Sequence, residues 1–202
     1  MGAYVFWHRP LANVDRDAYE GALIAFHRHL LDRGCAGLQG SATYRITETP
    51  WLDALPGYED WYYVDSSAAL DPLNEAAVAP DMWDVHAAIS SQTDVGHGGI
   101  YTHILGDPDP KALLHTAWLK RPRGIRYEIP LKTIADQIAG PVSVWRRQMV
   151  LGPGFEFALL GATSTKLDLP QGWEVRYMDR TLLHSGAAAS IGSGKDQREK
   201  DR

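Results

Sequence analysis

The sequence predicts an α+β protein built from two related β-α-β-β-α-β units, and three observations carry that expectation. A five-residue motif occurs twice: Phe6-Trp7-His8-Arg9-Pro10, followed by Tyr19-Glu20, and Trp118-Leu119-Lys120-Arg121-Pro122, followed by Tyr127-Glu128. Two further echoes keep the same order. Ser41-Ala42-Thr43-Tyr44-Arg45 answers to Ser143-Val144-Trp145-Arg146-Arg147, and Gly57-Tyr58-Glu59 answers to Gly154-Phe155-Glu156. Between these landmarks, short β-branched and aromatic runs alternate with segments of helical periodicity. A duplicated unit constrains a fold more than any single local pattern does.

The elements follow in order. Tyr4 to His8 reads as a strand closed by Pro10. Asp15 can cap a helix running to about Arg33, and Gly34 can stop it. In that helix Tyr19, Leu23, Phe26 and Leu30 recur at helical spacing and form one apolar face. Gly40 to Thr47 is a second strand, Glu48 to Pro56 a loop carrying Trp51, and Tyr58 to Asp65 a third strand. Helices are predicted over Ala68 to Val78 and Asp81 to Ser90, and Gly98-Gly99 leads into a strand from Ile100 to Leu105. Asp107-Pro108-Asp109-Pro110 is a turn-rich joint. The second unit supplies a strand over Thr116 to Lys120, a helix from about Tyr127 to Ile138, and strands over Val144 to Leu151, Phe155 to Leu160 and Trp173 to Asp179. The connection from Gly161 to Trp173 is too short for a second helix with its turns. From about Ser185 the chain turns small and then charged, with almost nothing to bury, and is expected to be disordered.

This order is the ferredoxin-like arrangement. With the duplicated motif, it makes the chain resemble the dimeric α+β barrel superfamily, with both subunits fused into one polypeptide. The resemblance spans about residues 3 to 180 and rests on topology and duplication. It implies antiparallel sheets closing into one barrel, helices outside, and a ligand held in the barrel interior. The units would be 1–107 and a shortened 108–184, followed by the tail 185–202. Members of the superfamily include cofactor-free monooxygenases, cyclases, isomerases and haem-dependent enzymes, so the fold leaves the chemistry open. The helix missing from the second unit would leave a face open to homodimerisation.

Composition narrows the classes of function. The 202 residues are 45% apolar, ample for a packed core. A net charge of −5 with scattered Lys and Arg argues against a nucleic-acid surface. Cys35 is the sole cysteine, which excludes an intrachain disulfide and a multi-cysteine metal site. No apolar run is long enough to span a bilayer, and the start lacks the pattern of a signal peptide, so a cytoplasmic setting is expected. No HExxH or two-His-plus-carboxylate spacing is present, and no metal is expected.

Strand alternation then nominates a site. His8, Arg45, Glu59, His103, Lys120, Arg147 and Glu156 are expected to line the barrel interior, with Trp51, Trp61 and Tyr63 packing a small, mostly apolar or aromatic substrate. In this scheme His8 is the general acid or base, Arg45, Glu59 and Arg147 complete the catalytic set, and Trp51 sits in a lengthened hairpin that could act as a lid. The reaction class is isomerisation, cyclisation or cofactor-free oxygenation. Arg45–Glu59 and Arg147–Glu156 could instead be plain structural ion pairs. Haem is the alternative cofactor, with His8, His103 or His115 as axial ligand. A non-catalytic interaction protein is the third reading, and a solid interior without a cavity would favour it. His27 and His29 point about 160° apart on their helix and are expected to flank its apolar face.

Overall fold

The computed structural model describes residues 1–124, 131–149 and 151–189. Eight strands close into one barrel in the order β1-β3-β2-β8-β5-β7-β6-β4. They are β1 (Gly2–Pro10), β2 (Leu38–Thr49), β3 (Leu55–Val64), β4 (Thr93–Gly106), β5 (His115–Lys120), β6 (Val142–Arg147), β7 (Phe157–Gly161) and β8 (Glu174–Ala187). Every neighbouring pair is antiparallel. Strands one to four and strands five to eight take the same relative order within their halves, and β2–β8 and β4–β6 join the halves. Closure removes every open sheet edge.

The long helix α1 (Arg16–Arg33) starts where the Asp15 side chain accepts from the Ala18 amide at 2.8 Å, and Gly34 at φ 66° ends it. Such a cap contributes about 1 kcal/mol. Two further helices, α2 (Leu70–Ala77) and α3 (Trp83–Ser90), are each preceded by a single 3-10 turn. Together α1, α2 and the 3-10 turn that leads into α3 cover the outer face of the first half through Phe26, Leu30, Leu73 and Met82, with Val85 and Ile89 of α3 packed against them. The second half is covered more thinly, by α4 (Leu131–Ala135) and by Leu167 and Leu169 of the long β7–β8 connection. Residues 162–173 carry no helix, as their number predicts.

β4 and β8 run beyond their expected bounds. β4 begins at Thr93, not Ile100, so the run Gly96-His97-Gly98-Gly99 lies inside a strand. β8 continues past Asp179 to Ala187 and pairs with β2 as far as Gly40↔Ala187, so residues 185–187 are sheet. The predicted helix from Tyr127 lies partly outside the described residues, as do Val150 and the tail from Ser190 onward. No helix among the described residues is long and apolar enough to cross a membrane.

The barrel interior is packed solid. Trp7, Trp61, Trp118 and Trp145 are fully buried there, with Tyr44 and Tyr101 between them. Most ring contacts are edge-to-face, such as Trp7–Trp118 at 5.4 Å and Trp61–Trp145 at 5.2 Å. The polar centre is Glu59, with no exposed surface. Its carboxylate accepts from the Trp7 indole at 2.8 Å, from the Trp61 indole at 2.8 Å and from the Arg180 guanidinium at 2.9 Å. Arg180 also donates to the Leu113 carbonyl and lies 4.1 Å over the Tyr44 ring. Breaking such a buried pair from one side leaves an uncompensated charge. Glu59→Gln is therefore expected to lower unfolding free energy by about 3–5 kcal/mol in urea titrations. An unchanged midpoint would show that the pair holds nothing together.

Candidate functional site

The filled interior corrects the expected site. Glu59, Trp61, Tyr63 and His103 do face inward, with Trp51 wedged edge-on against Trp7 and Trp118 at one barrel end. They meet one another and form core, leaving no room for a ligand among them. Glu59 pairs with Arg180, not Arg45. Arg45 points outward and meets Glu20 on α1 at 3.4 Å. The second proposed pair is also replaced. Arg147 donates to the carbonyls of Gly152 and Gly154 and so ties its own hairpin, while both carboxylate oxygens of Glu156 accept from the one Nε–H of Arg121. Lys120 is half-exposed and bonds Glu174 at 2.8 Å. None of these three lines the cavity on the outer face of β1.

His8 is on the other side of the sheet. Ala3, Val5 and Trp7 of β1 point inward, so Tyr4, Phe6 and His8 point outward, towards the helices. There a cavity of about 640 Å³ lies between the outer face of β1, β3 and β4 and the layer α1–α3. Its floor is aromatic: Tyr4 stacks on Phe6 and on Tyr62, and Phe6 stacks on His8 at 5.2 Å. Gly96 and Gly98 on β4 make this floor possible, because a Cβ at either position would run into the Phe6 or Tyr4 ring. Leu23, Phe26 and Leu30 of α1 form one wall. Asp71 and Asn74 of α2, with His86 and Ser90 of α3, form the other.

A buried hydrogen-bond chain runs along this floor. His8 Nε2 lies 3.2 Å from Asp60 Oδ2, and His8 Nδ1 lies 2.8 Å from the Tyr19 hydroxyl. That hydroxyl meets Thr93 Oγ1 at 2.9 Å, and Thr93 Oγ1 donates to the Ile89 carbonyl. On the far side, His27 Nε2 stands 3.4 Å from Asp60 Oδ1, and its Nδ1 is 2.8 Å from Ser41 Oγ. Asp60 is 2% exposed. Burial alone would raise its carboxyl pKa, but His8 and His27 together outweigh that and hold it well below the usual range. An ionised Asp60 only accepts, so the proton of this contact sits on His8 Nε2 and Nδ1 is the basic nitrogen. Burial pushes the Tyr19 phenol up to about 12, so it stays a donor at neutral pH. Base, orienting carboxylate and hydroxyl relay are thus all present beside an apolar cavity.

Asp60, Tyr19, His27 and Thr93 were not foreseen. Alternation along β3 puts Asp60 with Tyr62 on the face opposite Glu59, but the functional face was expected to be the inner one. Both faces of β3 are in fact buried, the inner by side chains and the outer by helices. The alternating Gly96 and Gly98 were the available signal, since they strip one face of a strand. His27 is wholly buried and belongs to the Asp60 network instead of flanking an apolar face. Among the described residues no cluster of three or more metal-ligating side chains occurs. Of the proposed haem ligands, His8 has both nitrogens engaged, His115 is bonded to Asp179, and His103 packs on Trp145 within the barrel. None presents a free nitrogen to the cavity.

The Asp60 shift has a defined sign. A depressed carboxyl pKa adds stability that is complete above the unfolded value near 3.8 and is lost as pH falls through the folded one. Wild type is therefore expected to exceed Asp60→Asn in unfolding free energy by a constant margin from pH 5 to 7, and by a shrinking margin below about pH 4. Urea titrations at pH 7, 5 and 3 measure it, and a margin that grows on acidification would contradict the assignment.

Comparison with known proteins shows a likeness of fold. No protein-family model matches the chain, and no curated protein matches it. A solved structure described as an anthrone oxidase-like protein superposes with a TM-score of 0.54 over 93% of this chain and 92% of that one, at 11% identity. At that identity the two share a fold: a closed antiparallel barrel of α+β class, matched along nearly the whole chain.

Proposed function

We propose that this protein is a cofactor-independent enzyme that removes a proton from a small, apolar aromatic substrate in the cavity between α1–α3 and the outer face of β1, β3 and β4. The observation that carries the reading is the His8–Asp60 pair buried on the floor of a 640 Å³ aromatic cavity. The identical strand order of the two halves further supports a fused pair of ferredoxin-like units, of the kind found in the dimeric α+β barrel superfamily. The barrel lumen is filled and serves as scaffold. The filled lumen is what an interaction protein was expected to show; the outer cavity with its buried His8–Asp60 pair supports the enzyme reading instead.

The fold neighbour's description suggests oxidation of an anthrone as the first reaction to try. Its chemistry suits the site. An anthrone loses a proton from its central ring to give an enolate, which dioxygen oxidises. The balance is anthrone plus dioxygen to anthraquinone plus water. In this scheme the Thr93 hydroxyl turns from the Ile89 carbonyl to the Tyr19 oxygen, so that the substrate proton passes to Thr93 Oγ1, the Thr93 proton to the Tyr19 oxygen, and the Tyr19 proton to His8 Nδ1. Asp60 holds the resulting imidazolium through Nε2–H, which preserves the orientation of the ring. Burying this pair beside an apolar cavity strengthens the charge pairing as the enolate forms.

Dioxygen uptake with anthrone as probe is expected to be catalysed by the wild-type protein. His8→Gln is expected to lower kcat about 100-fold or more, the range general-base removal produces. His29→Gln, on the exposed side of α1, is expected to leave it unchanged. No uptake by the wild-type protein would overturn the oxidation, and an undiminished His8→Gln rate would overturn the role of His8. Titration with haem is expected to produce no Soret band of a bound species. A sharp bound-state Soret band would instate the haem reading.

A further inference from the structure

The acidic and basic side chains that line the cavity are three carboxylates and two histidines. Asp60 stands on the floor, Asp71 and Asp94 at the edge, and His8 and His86 complete the set. No Lys or Arg lines it among the described residues. Arg9 comes nearest in role, but its guanidinium is bound to Asp94 at 2.8 Å and so offsets that carboxylate without facing the cavity. Asp71, in the first turn of α2, is exposed. It occupies the end of the helix at which free backbone amides would otherwise attract an anion. Asp60 is held ionised by His8 and His27, and its carboxylate forms part of the cavity lining. The aromatic side chains of Tyr4, Phe6 and Tyr62 complete the lining without adding a cation.

From this lining we infer that the cavity selects its ligand by charge: it takes aromatic ring systems that are neutral or carry an ammonium group, and it turns away carboxylates, sulfonates and phosphates. The inference rests on the reading of this cavity as the substrate site and adds the substrate's charge class to it. An anion entering the cavity would lose its hydration and meet Asp60 with no cation to replace the water. An enolate formed inside is a different case. Its proton has moved to His8, so the pair is neutral overall and the site never holds a net added negative charge. The site therefore accepts acids only in their protonated form, and a substrate must arrive with the proton it is to lose. Substrates or cofactors that bear phosphate groups are excluded by the same rule.

Three anthracene probes of one shape and different charge test this by fluorescence titration of the intact protein: 9-anthracenemethanol, 9-(aminomethyl)anthracene as its ammonium, and anthracene-9-carboxylate. The alcohol and the ammonium are expected to bind, and the carboxylate to bind at least about tenfold more weakly, which is about 1.4 kcal/mol. Asp71→Lys, an exposed change that leaves the floor intact, is expected to recover at least about half of that loss on a logarithmic scale. Equal binding of all three overturns the charge rule while leaving the site in place, and anthrone-dependent dioxygen uptake reports on the site separately. A carboxylate that binds best also overturns the rule. An Asp71→Lys protein no better at binding carboxylate overturns its electrostatic cause. Failure of all three probes to bind overturns the rule and the site together.

Discussion

The contact on which the rest of this structure depends is the carboxylate of Glu59 inside the barrel. It comes from β3 in the first half, and Arg180 comes from β8 in the second. Their bond spans the seam at which β2 meets β8, and it draws two tryptophan indoles into one cluster. A buried ion pair adds little net stability compared with well-packed apolar residues, but one half of it alone is costly. Its value is therefore in specification. A strand slipped by one residue would turn Glu59 outward and leave Arg180 unpaired inside, so the pair opposes any other register of either strand.

That arrangement also decides where a ligand can go. Four tryptophans and several tyrosines around one carboxylate leave the lumen without space, and edge-to-face ring packing keeps it rigid. The opposite face of the same strands is covered by helices that pack less closely, because Gly96 and Gly98 leave β4 bare and the rings of Tyr4 and Phe6 lie across it. The strand that presents Glu59 to the core presents Asp60, the next residue, to the cavity. Scaffold and site are consecutive residues of β3, separated only by the pleat. A change in the register of β3 would disturb both at once.

The two halves use comparable positions differently. Trp7 of β1 and Trp118 of β5 both reach the core, although the repeated motif aligns Trp7 with Leu119, which packs in the outer layer. His8 is then buried against Asp60 under a complete helical layer, while Lys120 is half-exposed and bonded to Glu174. Thick cover over one half makes a cavity with a buried polar floor, and thin cover over the other leaves its rim charges to solvent. The specialisation lies in what covers the sheet more than in the sheet itself.

Much of the framework was legible in the chain. The repeated Trp-containing motif, the Asp15 cap and Gly34 stop, and the strict alternation of β3 placed strands, the long helix and the inward set Glu59, Trp61 and Tyr63, because these depend on local propensity and pleat. The partners were not legible. Arg180 sits in a stretch mixing small and polar residues, and only pairing with β2 made it strand. Arg45 and Arg147 had suitable spacing for Glu59 and Glu156, yet Glu20 and two hairpin carbonyls took them. The sequence by itself determined the alternation, and so which residues share a face. Only the tertiary structure decided which face encloses a cavity. That depends on how tightly distant side chains fill the lumen and how loosely helices settle on the outside, and no local pattern encodes either.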